Sequence, residues 1–289
     1  GIIVVIAGLV QLNPIWVFGP YTPDQVSAGT QPDWYIGWLD GALRVMPNWE
    51  IQALGYTLSL NVLIPSLVIP GIITGLLISY PFIEQWATGD KSEHHLLDRP
   101  RDAPTRTAFG VMAITFYTLL WIGGGNDIIA VGFDLSINSI IWFLRVTLFV
   151  IPPIVFVVTR RVCLGLQRRD NAKLLHGYES GRVLRLPHGE FIEVHQPLSV
   201  KDMAVITSKT DYEPLPAPEK TDADGVRNKH YRWKSMRHKL STFFYADNIA
   251  KPSMAEIEAG QHHVGHDAAI EAPLHAYEDA DEIRNAHGG

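Results

Sequence analysis

The apolar residues of this chain are concentrated in four stretches within its first 160 positions. They cover residues 1–12, 58–82, 108–122 and 137–158. A membrane-spanning helix needs roughly 20 predominantly apolar residues, and the last three stretches are near that length. The first is too short to span unaided, so we expect it to be one end of a longer helix and the chain to be the C-terminal part of a longer protein. The pattern predicts an all-α membrane protein.

The loop between the first two stretches, residues 13–52, contains a second pattern. Ile36, Leu39 and Leu43 recur at helical spacing. Pro32 suits a first helical turn, because its missing N–H would be unpaired there in any case. We therefore predict a short amphipathic helix at the membrane interface that ends before Pro47. Three tryptophans in this loop are typical of an aromatic belt at headgroup level: Trp34, Trp38 and Trp49.

Polar residues dominate after the last apolar stretch. The predicted domains are a transmembrane domain at 1–160, a cytoplasmic extension at 161–207 and a partly disordered tail, rich in proline and charge, at 208–289. In the extension we expect a helix at 164–175 and a hairpin at 182–194. Residues 213–219 are typical of an extended linker. Residues after about 245 have little apolar content to bury and are expected to be disordered unless a partner holds them.

Composition and charge exclude several classes of protein. The mean hydropathy of +0.06 is the average of an apolar half and a polar half. The net charge of −6 argues against a nucleic-acid partner. Cys163 is the single cysteine, which excludes an internal disulfide and a cysteine-ligated metal cluster.

The basic residues predict the orientation of the chain in a cell membrane, because cytoplasmic loops carry an excess of Lys and Arg. The loop 13–52 contains only Arg44, and the connection 123–136 contains none. The other two connections are rich in them: Lys91, Arg99, Arg101, Arg106, then Arg160, Arg161, Arg168, Arg169 and Lys173. We therefore expect the tail to be cytoplasmic and the loop 13–52 to face outward.

Candidate chemistry is concentrated in the outward loop. Asp33 could accept a proton from a bound ligand, or it could merely complement the dipole of the predicted helix. Tyr35 could offer its hydroxyl to the same ligand, or it could be a tyrosine of the interfacial belt. Asp40 follows Asp33 by seven residues, so both lie on one face if the helix is continuous. It could line the same cleft or face solvent.

Two observations concern residues of the membrane itself. Arg145 is near the middle of the last apolar stretch, where an ionisable residue needs a partner. We expect a structural pairing with a carboxylate such as Asp127 or Asp134. All twelve histidines lie outside the apolar stretches, so no pair within a span could ligate a haem. Clusters at His94-His95 and at His262-His263 with His266 could bind a metal, although surface histidines are more often only solvated.

Several motifs resemble the cytochrome b family of respiratory and photosynthetic cytochrome bc complexes. Pro32-Asp33-Trp34-Tyr35 resembles the family's Pro-Glu-Trp-Tyr signature, with Asp33 in place of glutamate. Further motifs resemble the actinobacterial menaquinol:cytochrome c reductase, the bcc complex: Tyr80-Pro81-Phe82-Ile83-Glu84, Arg99-Pro100-Arg101-Asp102, Gly124-Gly125-Asn126-Asp127 and Phe191-Ile192-Glu193-Val194-His195-Gln196-Pro197. The resemblance covers roughly residues 1–200, and the remaining residues are similar only in character.

The resemblance implies that the spans correspond to helices E (partial) to H of cytochrome b. It implies oxidation of menaquinol to menaquinone at the outer face, with one electron passing to a Rieske protein and the other to haem b. Asp33 would be the proton acceptor and Tyr35 its assisting hydroxyl. Five neighbouring residues would contact the quinol: Pro32, Trp34, Ile36, Leu39 and Asp40. Two haem b groups would be held by the N-terminal half of the subunit, with no metal ligand here.

The implied partners are the N-terminal half of cytochrome b, the Rieske iron–sulfur subunit, a cytochrome c subunit, a terminal oxidase in a supercomplex, a second copy of the same complex, and the lipid membrane. Two other classes of function stay open on the residues alone. One is a membrane anchor or assembly subunit without chemistry of its own. The other is a transporter segment in which Arg145 and a helix broken at Pro65 and Pro70 line a pathway.

Overall fold

In the computed structural model, the described residues are 1–9, 13, 16, 19–20, 31–33, 35–93, 97–185, 188–189, 191–209, 212–221, 228–245, 249–262 and 264. They form two compact units. The first consists of Gly1–Trp86 and Ala108–Val158, and the second of Ala87–Thr107 and Thr159–Gly289. Each unit has its own buried core.

Among the described residues, three helices are long and apolar enough to cross a membrane: Leu60–Thr88, Pro104–Gly124 and Ile137–His176. They cover nearly all of the last three apolar stretches, so the prediction of a helical membrane protein is confirmed. The helix at the start of the chain, α1, is short, at Ile2–Leu9. Each long helix extends beyond its apolar stretch, because polar residues at the ends continue the backbone hydrogen bonding.

The first long helix has an irregular turn near its start. It consists of α3 (Leu60–Leu63), a π-helical turn (Ile64–Val68) and α4 (Ile69–Thr88). The N–H of Ile69 bonds to the carbonyl of Ile64, five residues back. Proline cannot donate this hydrogen bond and crowds the preceding turn, so the disturbance expected from Pro65 and Pro70 takes the form of one wide turn.

A β-hairpin that the sequence did not predict precedes this helix. Strand β1 (Glu50–Ala53) pairs antiparallel with β2 (Tyr56–Ser59). The two turn residues, Leu54 and Gly55, have φ angles of +55° and +78°, the arrangement that a two-residue hairpin turn with positive φ at both positions requires. The strands have only four residues each and are exposed on both faces along most of their length, so they lack the apolar alternation by which strands are recognised.

The predicted interfacial helix is α2, Gly37–Val45. It packs against the last turns of α5 (Pro104–Gly124) at very short range. A Cβ on Gly41 would overlap the carbonyl oxygen of Leu120, and one on Gly124 would overlap that of Gly37. Glycines therefore allow the two helix backbones to touch, as small residues do between membrane helices. The core around this contact contains Ala42, Val45, Leu120, Ala130, Ile140, Leu144 and Leu148.

Arg145 has a structural role, but its partner is not a carboxylate. Its Nε donates to the carbonyl of Val45 at 2.7 Å, and an Nη donates to that of Met46 at 3.4 Å. Its guanidinium also lies over the ring of Trp142, 4.9 Å from the centroid. The expected pairing with Asp127 or Asp134 is therefore wrong. The positive charge instead satisfies carbonyls at the C-terminus of α2, where the helix dipole is negative.

The last membrane helix, α7, runs without interruption over Ile137–His176. The separate helix predicted at 164–175 is therefore its continuation. Only Thr159-Arg160-Arg161-Val162-Cys163 separates the two predicted segments, and none of these residues breaks a helix. The change in polarity at residue 159 is a change of surroundings and not of backbone conformation.

The second unit is organised around a buried ion-pair cluster. Arg99 precedes the 3₁₀ turn Pro100–Asp102 and Arg101 lies within it, and both contact Asp170, at 3.2 Å and 3.0 Å. Arg99 also contacts Asp102 at 2.6 Å. The two carboxylates are each 5% exposed. Two cations and two anions thus balance one another, which is how buried charge is tolerated.

The tail contributes ordered structure to this unit. Strands β3 (Tyr178–Arg185) and β4 (Phe191–Gln196) form the predicted hairpin. They are followed by α8 (Val200–Thr207), α9 (Tyr231–Tyr245) and a helical segment at 254–262. Ile257 in this segment is 1% exposed and packs with Leu174, Leu198 and Ile206. The disorder expected after about residue 245 is not found at 254–262, because even a little apolar content at helical spacing suffices when a core is already present.

Replacement of Asp170 by Ala should destabilise the second unit. It leaves Arg99 and Arg101 without their shared carboxylate, and breaking a buried pair costs about 3–5 kcal/mol. Since these arginine side chains are 27% and 37% exposed, water offsets part of that loss, and we expect about 2 kcal/mol. Limited proteolysis of the purified complex should show faster cleavage within residues 208–230. Glu219→Gln, an exposed carboxylate in the same unit, should leave the cleavage rate unchanged. Equal rates for the two variants would contradict the structural role of Asp170.

Candidate functional site

The loop 13–52 contains a turn immediately before α2. The N–H of Ile36 donates to the carbonyl of Asp33 at 2.9 Å, and the helix begins only at Gly37. The expectation that Pro32 occupies the first helical turn is therefore wrong. Aspartate is favoured at the first position of such a turn, and this local preference takes precedence over that of Pro32 for a helix start.

Asp33 and Tyr35 come together across this turn. The hydroxyl of Tyr35 donates to Oδ2 of Asp33 at 2.8 Å, and both side chains are exposed. The hydrogen bond to Asp33 and the negative charge of its carboxylate raise the pKa of Tyr35. The phenol therefore stays protonated and remains a donor. An ionised carboxylate has about four acceptor positions, so Asp33 can accept a further proton donor while it holds Tyr35.

Pro32, the residue before Asp33, lines an apolar pocket of about 230 Å³. Its walls come from the start of the turn, the end of α5 and the helix α6 (Asn126–Phe133). The lining residues are Gln31, Pro32, Gly37, Trp121, Ile122, Gly124, Gly125, Ile128 and Ile129. Of the seven predicted site residues, Pro32 is the one that lines this pocket. Asp33 and Tyr35 follow Pro32 closely in the sequence, and Trp34 is outside the described residues.

A polar network holds α2 against the start of α6. Arg44 contacts Oδ1 of Asp127 at 2.8 Å and Oδ2 of Asp40 at 2.7 Å, and it donates to the side-chain oxygen of Asn126 at 2.8 Å. The contact with Asp40 is an ion pair without the alignment of a hydrogen bond. Arg44, the single basic residue of the loop 13–52, is therefore neutralised by carboxylates of α2 and α6.

Gln31 connects this network to the pocket. Its side-chain nitrogen donates to Oδ2 of Asp127 at 2.8 Å. Its backbone is held by Asn13, which donates to the carbonyl at 2.6 Å and accepts from the N–H at 2.9 Å. Gln31 is 8% exposed. These bonds hold the chain just before Pro32 and Asp33, so they position the turn that carries the candidate chemistry.

Asp40 does not share a face with Asp33, because α2 begins after Asp33. Its side chain points to Arg44, one turn further along the helix. Ile36, at the start of the helix, is 41% exposed, and Leu39 is half-buried. Asp40 therefore belongs to the polar network that supports the pocket. Contact of Asp40 with a ligand stays a prediction.

Several of these residues could not be recognised directly from the sequence. They are ordinary apolar residues of α5 and α6, and only the packing of those helices makes them a pocket wall: Trp121, Ile122, Ile128 and Ile129. The Gly124-Gly125-Asn126-Asp127 motif was the available signal. Its glycines, between two apolar stretches, are suited to a close contact between helices. Its polar pair is suited to the start of the next helix.

The pKa of Asp127 is lowered by its partners in this network. Burial opposes its ionisation, but hydrogen bonds from Gln31 and Arg44 and the charge of Arg44 outweigh burial and lower its pKa below the ordinary 3.8. Ionised Asp127 therefore stabilises the folded arrangement in which Gln31 and Arg44 bind its side chain. This contribution is complete above the ordinary pKa and is lost as the pH falls through the lowered one.

The helix α6, which contains Asp127, should accordingly become less stable in acid. We expect amide hydrogen exchange of residues 126–133 to accelerate relative to the rest of the protein as the pH falls from about 4 towards 3. The comparison must be corrected for the intrinsic pH dependence of exchange. Asp127→Asn should abolish most of this difference, since the amide has no proton to gain. An unchanged pH response in that variant would exclude Asp127 as its source.

Within the described residues, no three His, Cys, Asp or Glu side chains are grouped as a metal site. His94, His95, His263 and His266 lie outside the described residues. The three membrane-capable helices contain one histidine, His176, at the C-terminal end of α7. The described residues therefore do not fit a haem held within the membrane.

No protein-family model matches the chain. Curated relatives do, and each is named cytochrome bc1 complex cytochrome b subunit. The relative from Streptomyces coelicolor is 53% identical over 89% of this chain and 47% of its own length. The one from Corynebacterium diphtheriae is 48% identical over 91% and 47%, and that from Mycobacterium tuberculosis 39% identical over the whole chain and 50% of its own length. The chain belongs to the cytochrome b family.

The chain spans about half the length of these cytochrome b relatives, which is consistent with the C-terminal half of the subunit. The resemblance inferred from the Pro-Asp-Trp-Tyr motif is thereby confirmed at the level of the family. As a cytochrome b with three membrane-capable helices, it is a multi-pass membrane protein. The missing haem site is consistent with haem ligands on another part of the subunit.

Proposed function

We propose that this cytochrome b chain forms part of the quinol-oxidation site of a bc-type oxidoreductase complex. The observation that carries the proposal is the hydrogen bond between Tyr35 and Asp33, which follows directly in sequence on Pro32, a lining residue of the apolar pocket. A quinol has an apolar ring and an acidic hydroxyl. The ring requires a pocket that excludes water, and the hydroxyl requires a carboxylate at its edge.

The residues of this chain would remove and move the proton. Oxidation of a quinol to a quinone releases two electrons and two protons. Asp33 would accept the proton of one ring hydroxyl, while Tyr35 donates to the same carboxylate and holds its orientation, and the proton of the second hydroxyl would be released to water. Because Asp33 and Tyr35 are exposed, Asp33 can pass the proton on to water. Haem b and an iron–sulfur centre would accept the electrons when the complex is assembled.

The pocket suits the head group of menaquinol. Its volume of about 230 Å³ is below the roughly 300–1,000 Å³ of pockets that enclose drug-sized ligands, so it can take a ring system with the tail outside. Trp121 and Ile129 offer flat and branched apolar contacts. Pro32 and Gly37 close the pocket near Asp33, and ring contacts with Ile36, Leu39 and Trp34 are part of the proposal.

The proposed assembly follows the predicted partners. The N-terminal half of cytochrome b would hold two haem b groups, and the Rieske and cytochrome c subunits would receive electrons at the outer face. A terminal oxidase and a second copy of the complex would complete the assembly. We place the loop 13–52 on the outer side of the cell membrane and the second unit in the cytoplasm, since the basic residues favour this orientation.

Two other functions have less support from the described contacts. A transporter would need Arg145 to line a pathway, whereas Arg145 is bound to the carbonyls of Val45 and Met46. A membrane anchor without chemistry would have no use for the carboxylate–phenol pair. A reduced-minus-oxidised spectrum of the purified complex, followed by reduction with a menaquinol analogue, tests the proposal. We expect b-type haem absorbance that the analogue reduces, and a complex without b-type haem would contradict it.

A further inference from the structure

We propose that α9, Tyr231–Tyr245, is a docking surface for the anionic phospholipid headgroups of the membrane that this chain spans. The inference is independent of quinol chemistry. It rests on the charge of the helix, on the division of its two faces, and on the residues that hold it in place.

Residues 228–245 form a strongly basic segment. They include five Lys or Arg residues and no Asp or Glu: Lys229, Arg232, Lys234, Arg237 and Lys239. The complete chain, by contrast, has a net charge of −6. A local cluster of this sign is complementary to anionic lipid. Each basic residue close to an anionic membrane surface contributes about a fivefold gain in affinity.

The exposed face of α9 combines these charges with apolar side chains. Arg232, Met236, Lys239 and Phe243 recur at intervals of three or four residues, so they share one face of the helix. All four are exposed, and Trp233 beside them is 57% exposed. Basic residues interspersed with tryptophan, phenylalanine and other apolar side chains are typical of helices that lie in the headgroup region.

The opposite face of α9 is held by the tail itself. His238 Nδ1 lies 2.6 Å from the carbonyl of Leu215, and the N–H of Leu215 donates to the hydroxyl of Ser241 at 2.9 Å. Tyr245 stacks on Tyr212 with ring centroids 5.0 Å apart. The less exposed side of α9 is therefore bound to the tail by these contacts, and its exposed side presents basic residues together with Trp233, Met236 and Phe243.

Two contacts place α9 at the boundary of the membrane helices. The hydroxyl of Thr105, in the first turn of α5, donates to the carbonyl of Phe243 at 3.3 Å. The guanidinium of Arg160 lies over the ring of Phe243, 5.3 Å from the centroid. Arg160 is the second residue after the apolar stretch 137–158. The C-terminal end of α9 thus contacts residues at the level where apolar helix gives way to charge, which is the level of the headgroups.

The experiment uses the purified complete complex in detergent. It is titrated with short-chain phosphatidylglycerol, with phosphatidylcholine of the same chain length, and with inorganic phosphate, and the thermal midpoint of unfolding is recorded. The test variant combines Arg232→Gln, Lys234→Gln and Lys239→Gln. The matched control combines Arg182→Gln, Lys201→Gln and Lys220→Gln, which removes the same charge from exposed positions elsewhere in the second unit.

We expect phosphatidylglycerol to stabilise the wild-type and control complexes at a concentration at least tenfold lower than it requires for the test variant. Phosphatidylcholine and phosphate should not show this difference. A second variant, Trp233→Ser with Met236→Ser, should weaken the response while the charge is unchanged. Equal responses of all complexes to phosphatidylglycerol would overturn the proposal. So would loss of a bound polypeptide from the test variant with an unaltered lipid response, because that result assigns the surface to a protein partner.

Discussion

Asp33→Asn is expected to slow quinol oxidation by the assembled complex about 10²–10⁴-fold, the usual effect of removing a general base. The amide has nearly the shape of the carboxylate and can still accept the hydrogen bond from Tyr35, but it cannot take up a proton at neutral pH. Turnover is measured with a menaquinol analogue and cytochrome c or an artificial acceptor. The amount of b-type haem per complex should not change, since Asp33 is exposed and makes its described side-chain contact with Tyr35 alone.

Glu50→Gln is the matched control for this variant. Glu50 is an exposed carboxylate of the same unit and lies on β1, at a distance along the chain from the turn. Its replacement removes the same charge and should leave turnover within about twofold of the wild type. Unchanged turnover in Asp33→Asn would refute the proton-acceptor role, whereas equal losses in both variants would indicate a general effect of charge at the outer face.

Gly41→Ala is expected to disrupt the contact between α2 and the end of α5. The added methyl group would overlap the carbonyl oxygen of Leu120, and a backbone atom cannot move aside as a flexible side chain can. Overpacking of this kind costs about 1–3 kcal/mol or more. Because Gly37 and Gly124 at this contact also line the pocket, quinol turnover should fall together with the thermal stability of the complex.

Gly110→Ala is the control that distinguishes loss of this contact from a general effect of helix propensity on stability. Gly110 also belongs to α5, but a Cβ at this position meets no atom within 4 Å. Alanine favours a helix over glycine by about 1 kcal/mol, so Gly110→Ala should leave stability unchanged or raise it slightly. Thermal unfolding of the two variants side by side provides the measurement. A Gly41→Ala complex as stable as the Gly110→Ala complex would contradict the close packing of α2.

The membrane helices could be predicted from the sequence because hydrophobicity over 20 residues is a local property. The end of the last helix could not, since nothing in the 159–163 segment distinguishes a helix that leaves the membrane from one that stops there. The hairpin at Tyr178–Gln196 was predicted from its alternating residues and central glycine. The hairpin at Glu50–Ser59 was not, because exposed four-residue strands carry little pattern.

The candidate site was predictable only in part, for a similar reason. Asp33 and Tyr35 are close in sequence, so their contact follows from a single turn. The partners of Asp127, by contrast, are Gln31 and Arg44, which lie more than 80 residues away along the chain. Arg145 shows the same limit. Its need for a partner followed from its position in the span, but backbone carbonyls at a helix end are present in every sequence and carry no residue-specific signal.

The turn of the first hairpin contains a conflict between local preference and the residue present. Leu54 has a φ of +55° and a side chain that is 96% exposed. A left-handed conformation costs a residue with a Cβ about 1 kcal/mol or more, and asparagine tolerates it far better than leucine. The hairpin alone would therefore be more stable with asparagine at this position. Natural chains depart from local preference mainly where function requires it, so the stability of this hairpin alone does not explain the leucine at its tip.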